Sequence, residues 1–173
     1  DRIHGIDTMQ TAAKAAELID FHGVVKTFVD GVGVGGGVVD RLAQLGYKPV
    51  DVSAGGRAMN DERYANKRAE MWGVMRDWIS KRGSLPADNA ELVDDLVAPT
   101  YKFDSSNRIQ LEKKEDMKKR GLPSPDIGDA LALTFAFPVA QGSWEDRPIQ
   151  VHTTRGTTTM GRAPSRMGGR VRS

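Results

Sequence analysis

The chain has 173 residues, 39% of them hydrophobic and 28% charged, with a formal net charge of +2 and no cysteine. That length suits one domain, the composition is that of a globular protein, and the lack of cysteine excludes a disulfide scaffold or a thiolate metal site. No apolar run reaches the roughly 18–20 residues of a bilayer span, nothing at the N-terminus reads as a signal peptide, and an intracellular location is the default expectation. The small net charge hides an asymmetry: residues 141–173 carry about +4 and the remainder about −2, a near-neutral body followed by a basic tail.

Asp7 to His22 is predicted as a helix. Asp7 and Gln10 have capping-box spacing, Gly23 supplies a stop, and Ala12, Ala15, Ala16, Leu18 and Ile19 form an apolar stripe. Val24 to Asp30 is β-branched and reads as a buried strand, Gly31 to Gly37 as a loop, and Val38 to Leu45 as a short helix closed by Gly46. Lys48 to Ser53 reads as a second strand and Ala54 to Asn60 as a loop. The longest helix is expected from Asp61 to Lys81, because Tyr64, Arg68, Met71, Trp72, Met75, Trp78 and Ile79 recur at three- and four-residue spacing. Trp72 and Trp78 are expected in the core, and Arg63, Lys67 and Arg68 on a solvated face in preference to a phosphate-contacting one.

Pro86 and Asp88 open a further helix that ends near Val97. Thr100–Phe103 and Arg108–Glu112 flank Asp104-Ser-Ser-Asn107 as a hairpin, and Glu115–Arg120 is a helical turn within a solvated, mixed-charge segment. Ser124 as N-cap and Pro125 in the first turn open the last helix, which runs through Phe137. Alternating strands and helices argue for an α/β layer. Residues 141–173, rich in Gly, Ser, Thr, Arg and Pro, read as a flexible tail.

Two acidic features carry chemical interest. Asp30 closes a strand and precedes a run of glycines, which allow a ligand to approach the backbone closely. The same stretch, Gly31-x-Gly33-x-x-Gly36 with Asp51 downstream, matches a dinucleotide fingerprint, but Asp30 directly before it would repel a pyrophosphate. A tight connection capped by Asp30 is the third reading. Asp126 and Asp129 lie three apart on one helical face. Asp126 suits the dipole of a first turn, whereas Asp129 lies among Ile127, Leu131, Leu133 and Phe135 with no base adjacent in sequence, so a metal ion is the expected partner for its charge. An all-oxygen donor set from a strand end and a distant helix suits Mg²⁺ or Mn²⁺ in a two-metal phosphodiester hydrolase.

The segments FVDGVGVGGGVVDRL, YANKRAEMW, LEKKEDMKKRG and SPDIGDALALTFA, taken in that order, resemble the nuclease domain of bacteriophage terminase large subunits. The resemblance implies an RNase H-like α/β fold: a mixed sheet flanked by helices over residues 1–140, followed by a disordered basic tail over 141–173. It implies a metal-dependent endonuclease that cuts concatemeric viral DNA, with Asp30 and Asp129 as metal-holding catalytic acids and Asp126 assisting. It further implies double-stranded DNA as substrate, the terminase ATPase domain, small subunit and portal as partners, and the host cytoplasm as location. The family's first catalytic acid stands on a strand upstream of this segment. Asp7, the early candidate, has a helix-capping context, so the domain is expected to be N-terminally incomplete. No Gly-Lys-Ser/Thr phosphate loop is present. The alternative expectation is a catalytically incomplete fragment that serves as an interaction module.

Overall fold

The computed structural model describes residues 5–86 and 88–139, together with the backbone of 149–153 and 156–160. The chain opens with α1 (Thr8–His22), where the Asp7 carboxylate accepts from the Gln10 amide at 2.7 Å and Gln10 Oε1 accepts from the Asp7 amide. Both bonds of the capping box are made. A short strand, β1 (Phe28–Asp30), leads through the glycine loop into α2 (Gly35–Gln44) and back to β2 (Val50–Val52). β1 and β2 pair in parallel, Phe28 with Val50, Val29 with Asp51 and Asp30 with Val52. A parallel pair needs such a crossover; Val52 is buried, whereas Asp30 and Asp51 are exposed.

Strand alternation distributes the apolar residues between two cores. Val29 points to the face covered by α1 and α2, where Ala12, Ala16, Val38 and Leu42 are buried. Phe28, Val50 and Val52 point to the opposite face, packed by α3 (Lys67–Lys81) through Met71, Trp72 and Met75, and by α6 (Asp126–Leu133) through Leu131, Ala132 and Leu133. Each of these side chains contributes on the order of 2 kcal/mol when fully buried.

Between α3 and α6 lie α4 (Ala90–Val97), the antiparallel hairpin β3 (Tyr101–Phe103) and β4 (Ile109–Leu111), and α5 (Lys114–Lys119). The hairpin attaches to the segment before α3, with Ala65 donating to the Ile109 carbonyl at 2.9 Å and Ile109 to the Arg63 carbonyl at 2.8 Å. Among the described residues the strands form three two-stranded sheets and not one mixed sheet; the third is β5 (Ile149–Thr153) with β6 (Gly156–Met160). This Thr-rich hairpin lies in the segment read as a flexible tail, where its β-branched residues favour extended backbone. The rest of that expectation lies outside the described residues.

Several boundaries differ from the sequence reading: β1 is Phe28–Asp30 in place of Val24–Asp30, with Val24 and Val25 exposed and not part of a buried strand, β2 is Val50–Val52 in place of Lys48–Ser53, and α2 begins at Gly35, inside the expected loop. α3 starts at Lys67, capped by Asn66, and not at Asp61. The apolar periodicity runs on through Tyr64 because that ring is buried against Ala58, Ala69 and Ile109, from a turn and not from a helical face. α6 ends at Leu133, and Pro125, not Ser124, occupies its N-cap position without a side-chain cap. The cap comes from α4: Asp95 Oδ2 accepts from the Ile127 and Gly128 amides at 2.8 and 3.0 Å.

Candidate active site

Ligands of open α/β sheets gather beyond the carboxyl ends of the parallel strands, and Asp30 stands at that end of β1. In strand parity it follows Phe28 and pairs with Val52, so it falls on the face covered by α3 and α6. It is exposed, and its carboxylate accepts a long 3.4 Å bond from the Val32 amide. The next residue is Gly31, beside the Asp51 carboxylate, which a Cβ there would push aside. Two acids therefore flank the mouth of the glycine loop. That arrangement suits a cation and opposes the phosphate cradle of a dinucleotide site.

Asp129 is held from α3. Residues 68 and 72, one turn apart on α3, face the same way. Arg68 Nε and Trp72 Nε1 both donate to Asp129 Oδ1, at 3.1 and 2.8 Å. The first turn of α3 is itself tied to the loop leaving β2, with the Lys67 amide on the Gly56 carbonyl and the Arg68 amide on the Ala54 carbonyl, both at 2.8 Å. Asp129 is thus held to the first turns of α3, which are bonded in turn to the loop leaving β2. Its second oxygen, Oδ2, faces Lys114 Nζ at 2.8 Å, and the same ammonium lies 3.9 Å from Asp126 Oδ1.

No base adjacent in sequence partners Asp129, as expected, but the fold brings two from a distance where a metal ion was the expected partner. Arg68 stands 61 positions away in sequence and Lys114 on α5, so neither is adjacent along the chain. The expected solvated helix face is likewise corrected. Arg68 is largely buried, with Nη1 on the Glu112 carbonyl at 2.8 Å and Nη2 enclosed without an acceptor among the described residues. Lys67 is buried against Glu70 at 2.7 Å, its ammonium 4.3 Å from the centre of the Phe137 ring. Nor is the 111–120 segment simply solvated, since Met117 is fully buried and Lys114 serves the site. Trp72 lies in the core as expected, and it also carries the hydrogen bond to Asp129.

Glu70 shows how the neighbouring loop is held. Burial opposes its ionisation, but Lys67 and the amides of Met59 and Asn60 outweigh that and keep its carboxyl below the usual range. The loop from β2 to α3 is thereby pinned beside the site.

The remaining question is whether the donors fit a metal. Among the described residues no three carboxylate or imidazole groups converge to hold an ion. The donor chemistry nevertheless suits a hard divalent cation, being carboxylate oxygen throughout. At the outward oxygen of Asp129 an ammonium already stands where positive charge is favoured. Arg68, Lys114 and Asp95 carry no short-range motif that would mark them in the sequence.

No protein-family model and no curated protein matches this sequence. In three dimensions the chain is similar to the nuclease domain of the large terminase subunit of bacterial virus Sf6. A lysine-to-alanine variant of that domain with manganese and β-thujaplicinol is 20% identical, covers 78% of this chain and 75% of its own, and has a TM-score of 0.64. The same variant with manganese gives 20%, 77%, 75% and 0.63. The nuclease domain without that substitution gives 20%, 78%, 74% and 0.64. The chain has the α/β fold of a phage terminase nuclease domain.

Proposed function

We propose that this chain is the nuclease portion of a phage DNA-packaging terminase and cuts concatemeric viral DNA by metal-dependent phosphodiester hydrolysis. Two observations support this reading: Asp30 stands at the carboxyl end of β1 on the face that α3 and α6 cover, and Asp129 of α6, about a hundred residues on, is held to the first turns of α3. Asp30 and Asp129 would hold Mg²⁺ or Mn²⁺ in a two-metal site, with Asp126 assisting. When bound, such ions stabilise negative charge on the attacking and leaving oxygens of the phosphodiester. The chain's own groups prepare the site. Arg68 and Trp72 occupy Asp129 Oδ1 and leave Oδ2 as the ligating oxygen. Lys114, the more exposed of the two bases, would be the one displaced by an ion. The basic tail adds attraction to the phosphate backbone, which weakens steeply with salt. In the host cytoplasm the domain works with the terminase ATPase domain, the small subunit and the portal.

Supercoiled and linear double-stranded DNA incubated with Mn²⁺ should be cut, and EDTA should stop it. Asp30→Asn and Asp129→Asn should each lower cleavage at least a hundredfold while leaving the circular dichroism spectrum unchanged, since Asn keeps an acceptor for Arg68 and Trp72. Cutting that survives both substitutions refutes the assignment.

A second reading has its own observation: three ligand groups do not converge among the described residues. In that case the domain is a catalytically incomplete module that binds DNA or portal. DNA binding without cleavage in Mn²⁺ selects it.

A further inference from the structure

The last helix bears two of the proposed acids, yet it begins without a cap of its own. Pro125 has no hydrogen-bonding side chain, so the first amides of α6 need an acceptor from elsewhere. The Asp126 amide finds the Ser124 carbonyl at 2.9 Å and the Asp129 amide the Pro125 carbonyl at 2.7 Å. Those of Ile127 and Gly128 are satisfied by one oxygen of Asp95, 32 and 33 positions away, and the Gly128 bond is buried. Asp95 is itself only 8% exposed. A buried carboxylate is costly unless its bonds are made, and here the positive end of a helix meets it.

The same turn is fitted closely on both sides. A Cβ on Gly128 would stand 2.9 Å from Trp72 Cη2 and 3.3 Å from Asp95 Cβ. Asp95 thus sets the start of α6 from one side while Trp72 and Arg68 hold its next residue, Asp129, from the other. We infer that Asp95 is a positioning residue for the proposed site: by capping α6 from α4 it fixes where Asp126 and Asp129 stand. This rests on the nuclease reading for its purpose, though not for its geometry.

Trp72 supplies a reporter, because its indole N–H is bonded to Asp129 Oδ1. In ¹⁵N-correlated spectra of the metal-free chain, the Trp72 indole resonance, assigned with Trp72→Phe, should move in Asp95→Ala. It should stay in place in Asp94→Ala, an exposed neighbour on the same helix, and in Asp95→Asn, which retains an acceptor oxygen. Mn²⁺ affinity, followed by the metal-induced rise in melting temperature, should fall about tenfold or more in Asp95→Ala and recover in Asp95→Asn. A folded Asp95→Ala protein with an unmoved indole resonance and parental Mn²⁺ affinity overturns the inference. If the alanine variant does not fold, Asp95→Asn decides alone, and a displaced indole resonance there overturns it. The resonance is read without metal or DNA, so it stands if no cleavage is found. Cleavage that depends on Asp30 but ignores Asp95→Ala keeps the nuclease reading and discards this one.

Discussion

Lys114 is the residue whose removal should help the proposed chemistry's first requirement. Its ammonium lies against Asp129 Oδ2 with 42% of its side chain exposed, so it repels an incoming divalent ion about 4 Å away by roughly 2 kcal/mol even at the dielectric of bulk water, less what salt screens. Lys114→Ala should therefore tighten Mn²⁺ binding by about tenfold, measured by titration calorimetry, and unchanged or weaker binding counts against the site. Glu70 is a different case, because it serves the loop and not the ion. Glu70→Ala leaves the Lys67 ammonium and two amides buried without their partner, and should cost roughly 3–5 kcal/mol in urea unfolding. The folded carboxyl is held below its ordinary value, near 4.5. Its contribution is therefore complete above that pH and is lost as pH falls through the folded value. Glu70→Gln should flatten the acid side of the stability profile, and an unaltered acid limb would show that Glu70 does not govern it.

At the scale of elements, α6 is held by what packs on it more than by its own sequence. It has eight residues, too few to be stable alone. Gly128 shows where that packing is tight. Gly128→Ala gains about 1 kcal/mol of helix propensity, but its methyl meets the rigid end of a buried indole, and overpacking of that kind costs about 1–3 kcal/mol. The second effect should prevail by about 1 kcal/mol. The melting temperature should drop and the Trp72 fluorescence should change; a more stable Gly128→Ala protein would show that α6 can shift freely.

For the molecule as a whole, the open side of β1 is the exposed feature. β1 pairs with β2 alone among the described strands. At the start of β1 lies a groove of about 680 Å³ walled by Leu18 and Ile19 of α1, Val24, Val25 and Phe28, and Leu133 of α6. A free strand edge with apolar walls is a template for pairing. The chain should associate with itself at micromolar concentrations in sedimentation velocity, and Val25→Lys, at a groove position that is 58% exposed, should suppress this. A concentration-independent monomer would remove the edge as an interaction surface.

What the sequence determined by itself is whatever is settled within a few residues. The capping box of Asp7 and Gln10 and the hairpin around Asp104–Asn107 are local, and each formed where its residues dictated, whereas of the β-branched run before Asp30 only Phe28–Asp30 became strand. The α/β class followed from their alternation. The acids Asp30, Asp126 and Asp129 were conspicuous because a charge beside apolar residues needs a partner. The identity of that partner was not legible. Arg68, Trp72 and Lys114 meet Asp129 only after α3, α5 and α6 have packed, and Asp95 caps α6 only once α4 lies against it. Contacts between residues far apart in the chain are chosen by burial and shape, which no short spacing encodes. Tertiary structure therefore decided how each acid is held, and placed a lysine at the oxygen where the sequence pointed to a metal.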